Sequence, residues 1–176
     1  TDANIVQRIN SIAENKYGNM WVGTDGGLHF INMENKTVNS FYHSSSNPES
    51  ISDNHVYTVC IDKEGFVWVG TVDGLNKFNP VTGEFIKYKS DVNKANTISN
   101  NRVFDVFEDS KGFIWIGTGS GLNKFNKKDT TFTIFTKKDG LPNDLIYNIV
   151  EDRDTNLWIT TGYGLARIDR ESEIIR

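Results

Sequence analysis

The sequence predicts an all-β fold, a β-propeller of four blades with four antiparallel strands each, and three observations carry that reading. Four tryptophans, Trp21, Trp68, Trp115 and Trp158, stand 47, 47 and 43 residues apart, which is the period of a propeller blade. The same phrase surrounds each of them: Gly65-Phe-Val-Trp-Val-Gly-Thr-Val-Asp-Gly74-Leu75 recurs as Gly112-Phe-Ile-Trp-Ile-Gly-Thr-Gly-Ser-Gly121-Leu122, with looser copies at Gly18–Leu28 and Thr155–Leu165. Short aromatic and β-branched runs alternate with clusters of Asn, Asp, Gly and Ser, as strands alternate with turns, and no stretch keeps a 3.6-residue apolar period over an ordinary helix length.

The repeats occupy approximately residues 5–52, 53–99, 100–143 and 144–176 of a single propeller segment spanning 1–176. Strand A is Ile9–Ala13, Val56–Ile61, Val103–Phe107 or Ile146–Val150. It is apolar toward both faces, as in Val56, Tyr57, Val59, Cys60 and Ile61, where a strand with one wet face would alternate. A sheet sandwiched on both sides, in a protein of four-stranded repeats, is a blade packed between blades. The A–B turns Asp62-Lys-Glu-Gly65 and Asp109-Ser-Lys-Gly112 place an aspartate to cap the turn and a glycine to take positive φ. Asn15 replaces that Asp in repeat one and Thr155 replaces that Gly in repeat four. Strand B carries the Trp, the Gly-Thr-x-x-Gly-Leu segment turns into strand C, and strand D is Ser40–Tyr42, Glu84–Tyr88 or Thr131–Phe135, cut short at Ile174-Ile175 in repeat four.

Composition narrows the function classes. Nineteen Lys and Arg against 23 Asp and Glu give a net charge of −4, which argues against nucleic acid as a partner. No apolar run is long enough for a membrane helix, so no direct membrane insertion by this segment is expected, and any signal peptide is expected to lie outside this chain. One cysteine, Cys60, excludes an intrachain disulfide and a cysteine zinc cluster.

The pattern Glu/Asp-Asp-x-x-Gly-x-x-Trp-Ile/Val-Gly-Thr-x-x-Gly-Leu-x-Lys/Arg-Phe-Asn/Asp resembles the two-component regulator propeller repeat. Glu108-Asp109-Ser-Lys-Gly112-Phe-Ile-Trp115-Ile-Gly117-Thr118 matches it almost letter for letter, and four copies cover essentially the whole chain. The resemblance implies a sensor region of a Bacteroidetes-type hybrid two-component system, located in the periplasm, that detects oligosaccharides without being an enzyme itself. In such receptors the histidine kinase lies outside the propellers. Four blades are too few for the family's usual seven-bladed ring. The expected partners are therefore other blades or a second copy of the chain, making part of a larger or self-associated ring, together with an oligosaccharide.

The candidate ligand-binding residues are those that vary between blades at the start of strand A. Thirteen residues before each Trp stand Arg8, His55, Arg102 and Leu145; eleven before stand Asn10, Tyr57, Phe104 and Tyr147. If strand A is innermost, Arg8, His55, Tyr57, Arg102, Phe104 and Tyr147 ring one mouth of the channel. Cations and aromatic faces there suit acidic or neutral sugars; the competing role for the aromatics is packing between blades. The D–A loops Ser44–Asp53 and Ser90–Asn101 are expected to open on the same face.

No catalytic or metal constellation emerges. Asp152-Arg-Asp154-Thr-Asn156 opens with the spacing of a calcium loop, but Leu157 and Tyr163 stand where that loop needs Gly and Glu. His29, His43 and His55 share no short spacing; His29 aligns with Asn76 and Asn123 and is expected to be a solvated strand residue. Cys60 aligns with Ala13, Phe107 and Val150 and is expected in the core. Glu108 and Glu151 recur at one blade position, which argues a structural role. The glycine motif lacks a phosphate-loop lysine, and no Ser/His/Asp set is present. No cofactor is expected. Two other function classes stay open: a carbohydrate-active propeller enzyme, lyase or sialidase-like, although Arg8, Arg102, Arg153 and Arg167 do not share one blade position, and a pure protein-interaction scaffold.

Overall fold

The computed structural model describes residues 7–169 and 174–176, and their strands form four antiparallel sheets in chain order. The first sheet comprises β1 (Ile9–Glu14), β2 (Met20–Thr24), β3 (Gly27–Asn32) and β4 (Thr37–Phe41). The second comprises β5 (Val56–Ile61), β6 (Val67–Thr71), β7 (Gly74–Asn79) and β8 (Glu84–Tyr88). The third comprises β9 (Val103–Glu108), β10 (Ile114–Thr118), β11 (Gly121–Asn126) and β12 (Thr131–Phe135). In the fourth, β13 (Ile146–Glu151), β14 (Leu157–Thr161) and β15 (Leu165–Ile168) are joined at the edge by a single bridge between Ile168 and Ile175, where the short strand D was expected. Each strand pairs only with its sequence neighbours, the meander of a propeller blade.

The chain divides into two compact units, Thr1–Lys87 and Tyr88–Arg176, each holding two blades. In the first, Trp21 and Leu28 pack with Val56, Val59, Val67, Val69 and Phe78 of the second sheet. In the second, Trp115 and Leu122 pack with Ile146, Ile149, Leu157, Ile159, Ala166 and Ile168. The glycine two residues after each of these tryptophans makes the approach possible. A Cβ on Gly23 would meet Val56 Cγ1 at 2.5 Å, and one on Gly117 would meet Ile146 Cγ2 at 2.8 Å. In the fourth blade this position is Thr160, and it is exposed.

The A–B hairpins owe their shape to one carboxylate each. Asp62 Oδ1 accepts from Glu64 N at 3.0 Å and Phe66 N at 2.9 Å, while its Oδ2 accepts from Trp68 Nε1 at 2.8 Å. Asp109 repeats this with Phe113 N at 3.0 Å and Trp115 Nε1 at 2.6 Å. Asp152 does so with Asp154 N and Asn156 N, both at 2.9 Å, and Trp158 Nε1 at 2.8 Å. The bond from Trp158 is the first cause holding the Asp152 carboxyl below its ordinary pKa. Both Gly65 and Gly112 take the positive φ the turn requires, at 90° and 85°, and Thr155 is forced to 65° in their place. Asn15 also clasps its turn, accepting from Tyr17 N and Asn19 N at 3.0 Å.

A second repeated node ties the D–A loops to strand C. Buried Asn76 accepts from Ser52 N at 2.9 Å and donates to Ser52 Oγ at 2.8 Å, and Ser52 Oγ lies 2.9 Å from Thr71 Oγ1. Asn123, Ser99 and Thr118 make the same set at 2.8, 2.9 and 2.8 Å. The preceding loop residues Ile51, Ile98 and Leu141 are buried. At the neck of each loop an Asn or Asp accepts one main-chain N–H at 2.7 Å: Asn54 from His43, Asn101 from Ser90, Asp144 from Lys137. The last D–A connection is the shorter one and carries a 3-10 turn, Lys137–Asp139, capped reciprocally by Thr136 and Asp139.

Two expectations from the sequence require correction. His29 is not solvated but only 4% exposed, at the position of the buried Asn76 and Asn123. Its Nδ1 lies 2.8 Å from Ser40 Oγ and its Nε2 3.3 Å from Thr24 Oγ1; a polar residue on strand C faces the B–C turn, which needs a partner there, and not water. Cys60 is half-buried, not a fully enclosed core residue. The structural reading of the recurring glutamates holds: Glu108 accepts from Lys127 Nζ at 2.8 Å, and Glu151 accepts from Ser110 N and Oγ at 2.9 and 2.7 Å.

Two outcomes follow from these nodes. Asp62→Asn leaves the turn's main-chain bonds possible but turns a donor toward Trp68 Nε1, and chemical denaturation should show a loss of about 1.5–3 kcal/mol, the size of a charge-assisted bond to a buried group; an unchanged midpoint would refute the clasp. Burial lowers the His29 pKa. The unfolded chain then binds a proton near its ordinary value of about 6.5 that the folded chain refuses, so stability is complete above that pH and falls below it. In Tm measurements from pH 7 to pH 5, His29→Asn should be less acid-sensitive than the parent protein.

Candidate functional site

The start of each strand A is bulged. Register shifts occur between Ile9 and Ser11, Val56 and Thr58, and Ile146 and Asn148. In the third blade Val103 and Asp105 oppose Thr118 and Gly117, leaving Phe104 extra. The residues skipped in the ladder register are therefore Asn10, Tyr57, Phe104 and Tyr147, the position of the candidate aromatics. A bulge re-aims the side chain it carries. It is closed by a main-chain bond from the B–C turn: Asp25 N, Val72 N, Gly119 N and Gly162 N donate to the carbonyls of Arg8, His55, Arg102 and Leu145 at 3.1, 3.2, 3.1 and 2.7 Å. Both variable positions thus stand at the same end of the strand in every blade.

In the first unit these residues build a polar cluster. Asn10 Nδ2 donates to Asp25 Oδ1 at 2.7 Å and to the Val56 carbonyl at 2.9 Å, crossing from the first blade to the second. His55 Nε2 lies 3.4 Å from the same Asp25 oxygen, with both side chains 36% exposed. The His55 and Tyr57 rings meet edge to face with centroids 4.6 Å apart. Asp53 Oδ1 accepts from His55 N at 2.7 Å and sets the backbone entering β5. Arg8 is exposed beside this cluster. The arrangement offers a carboxylate, an imidazole and an aromatic edge at a partly wet surface, suited to hydrogen bonding and stacking with a polar ring.

In the second unit Phe104 packs against Tyr147 with ring centroids 5.5 Å apart, which is the packing between blades that competes with a ligand role. Tyr147 is nevertheless half exposed. Arg102 is exposed, and its main-chain N–H donates to Asn100 Oδ1 at 2.8 Å. Asp105 links β9 to β13, its Oδ2 accepting from Ile149 N at 2.7 Å and Asn148 Nδ2 at 3.1 Å; Ser11 Oγ links β1 to β5 by accepting from Val59 N at 3.0 Å in the first unit. So the structure brings His55 with Tyr57 and Phe104 with Tyr147 inside their own units. The residue that sequence reasoning missed is Asp25. Its counterparts are Val72, Gly119 and Gly162, so alignment of the B–C turns already marks it as the one ionisable group at that place.

Among the described residues no group of His, Cys, Asp and Glu could hold a metal ion, and no helix is long and apolar enough to cross a membrane.

The two component regulator propeller repeat matches residues 5–26, 50–73, 97–120 and 140–163. The chain belongs to this propeller family. The second, third and fourth matches run from the D–A loop through the A–B hairpin to the B–C turn, and each contains one of the Asp–Trp clasps. No curated protein matches the sequence. Among solved structures, the chain is similar to the extracellular domain of a hybrid two component system from B. thetaiotaomicron, with 23% identity and a TM-score of 0.85 over 97% of this chain. It is also similar to virginiamycin B lyase from Staphylococcus aureus, at 18% identity and TM-score 0.72 over 97% of this chain. A third likeness is to PorZ, a surface component of the type-IX secretion system of Porphyromonas gingivalis, at 19% identity and TM-score 0.65 over 96% of this chain. The propeller segment spans 24%, 55% and 26% of those chains respectively. At these identities the likeness is one of fold.

Proposed function

We propose that this propeller segment is a non-enzymatic ligand-sensing module of a two-component receptor, exposed to the periplasm, and that its ligand is an oligosaccharide taken at the strand-A mouth. The observation that carries the reading is the set of variable residues at the start of strand A, Arg8, His55 and Tyr57 in the first unit and Arg102, Phe104 and Tyr147 in the second, on blades whose tryptophan phrase repeats. Family membership and a fold neighbour that is the extracellular domain of a hybrid two component system support the sensor assignment. Tyr57 and Arg102 are the test positions. In calorimetric titration with neutral and acidic oligosaccharides, Tyr57→Ala and Arg102→Ala should each weaken binding about tenfold or more, the loss of roughly one good contact, with circular dichroism unchanged. Unchanged affinity in both would move the site elsewhere.

The His55–Asp25 pair favours a second reading, since an imidazole held by a carboxylate can act as an acid or base. Turnover of a polysaccharide panel above a heat-killed control, abolished by His55→Ala, would establish the enzyme in place of the sensor.

We also propose that further blades, from the same polypeptide or a second copy, cover the outer face of β1. Ile9 and Ile12 are 49% and 60% exposed, while their counterparts Val56, Val59, Ile146 and Ile149 are 0%, 6%, 0% and 3% exposed. Apolar strand positions left wet on one blade and buried on the others fit a face made to be packed. Light scattering on the isolated 19.9 kDa chain should show self-association or strong hydrophobic-dye binding; a clean monomer with low dye binding would contradict the proposal.

A further inference from the structure

The first unit contains a cavity of about 880 Å³ between its two sheets, at the end of β1 away from Arg8. This is within the usual range for small-molecule sites, about 300–1,000 Å³. Its walls are largely aromatic: Trp21, Phe30, Phe41, Phe66 and Phe78 line it, with Asn15 among the polar residues. Trp21 is stacked on Phe41 at 5.7 Å and meets Phe78 edge-on at 5.4 Å.

The repeat shows why the space exists here. In the second unit the corresponding gap is bridged by Ser110 of one blade, which donates twice to Glu151 of the next; the first unit has Lys16 and Ile61 at those positions. In the second and third blades a lysine covers the hairpin phenylalanine, Lys77 over Phe66 at 3.7 Å and Lys124 over Phe113 at 4.3 Å. The first blade has Phe30 and Asn19 instead.

The chemistry of the walls differs too. Trp68, Trp115 and Trp158 each donate their indole N–H to the second carboxylate oxygen of the turn aspartate. In the first blade that residue is Asn15, whose Oδ1 is already used by Tyr17 N and Asn19 N. By the repeat geometry its Nδ2, a donor, stands where the other blades have an acceptor. Trp21 is only 3% exposed, and among the described residues neither its Nε1 nor Asn15 Nδ2 has a hydrogen-bond acceptor. The Trp21 indole is thus a buried donor in a setting where buried polar groups are normally paired, while Asn15 beside its turn is partly exposed. Rotating the amide does not help, because the two turn N–H groups require the oxygen.

We propose that this cavity binds a small uncharged molecule with a flat apolar body and a carbonyl or similar oxygen, the oxygen accepting from both Trp21 Nε1 and Asn15 Nδ2 and the body lying against Phe30, Phe41 and Phe78. The charged lining residues are Glu14, Asp62, Glu64, Lys16 and Lys63; Asp62 is committed to its own turn and to Trp68, and the other four balance, which gives no net preference for an ion. The site is separate from the strand-A mouth and does not depend on the sensor reading.

Benzamide is the probe, with toluene as its oxygen-free analogue, followed by 15N-resolved NMR of the indole protons. Benzamide should move the Trp21 indole resonance downfield and leave those of Trp68, Trp115 and Trp158 in place, and toluene should bind about tenfold more weakly or not at all. Asn15→Asp gives the first blade the aspartate that the other three already carry, so it should fold; its carboxylate should capture the Trp21 indole and weaken benzamide about tenfold or more. Equal binding of toluene, equal binding to Asn15→Asp, or a Trp21 resonance that benzamide leaves unmoved because water alone occupies the niche would each overturn the proposal.

Discussion

The interaction on which three of the four blades depend is the clasp between one turn aspartate and one tryptophan. The carboxylate spends one oxygen on the main-chain N–H groups of its hairpin and the other on the indole of strand B. A single side chain thereby fixes the turn, the register of strands A and B, and the orientation of the largest ring in the interior. The indole then lies in the sheet-to-sheet core, where Trp115 packs with the next blade's Ile146 and Leu157. The glycine two residues on completes the geometry, since a methyl group there would strike the next blade's inner strand. Loss of charge-assisted bonds to buried groups is costly, which gives a physical reason for the tryptophan phrase to repeat so closely while the strands around it drift.

How much of this was legible in the sequence depended on whether a residue's task lies within one repeat. Strand B, the hairpin aspartate and the positive-φ glycine act locally, and Asp62-Lys-Glu-Gly65 reads as what it is. Strands β5, β8 and β12 fall where the residues placed them. The failures are tertiary. His29 looked wet because its counterparts are asparagines, but asparagine at that place is a buried pin for the loop twenty-four residues earlier, and histidine inherits the burial. The Ser–Thr–Asn node was invisible for the same reason: its members are scattered along each repeat. The bulge could not be read either, since an extra residue in strand A leaves no compositional mark, and with it went the pairing of Asn10 and His55 on Asp25.

The same contrast sorts structure from function. Positions that repeat are occupied by clasps, pins and close-packing glycines. Positions that vary stand at the bulged start of strand A, where in the first unit Asp25, His55 and Tyr57 make a cluster no other blade reproduces, and at the first hairpin, where Asn15 replaces aspartate. A propeller scaffold offers many unrelated functions, so these departures from the repeat, and not the fold, are what a ligand would read.

Among the described residues, three of the four tryptophans are held by a carboxylate and the fourth is not. Indole N–H resonances and their hydrogen-exchange rates in the free protein test it most directly. Three downfield, slowly exchanging indole protons, assigned to Trp68, Trp115 and Trp158, with Trp21 set apart upfield, is the predicted spectrum; four equivalent indoles, or a Trp21 as strongly hydrogen-bonded as the others, would contradict it.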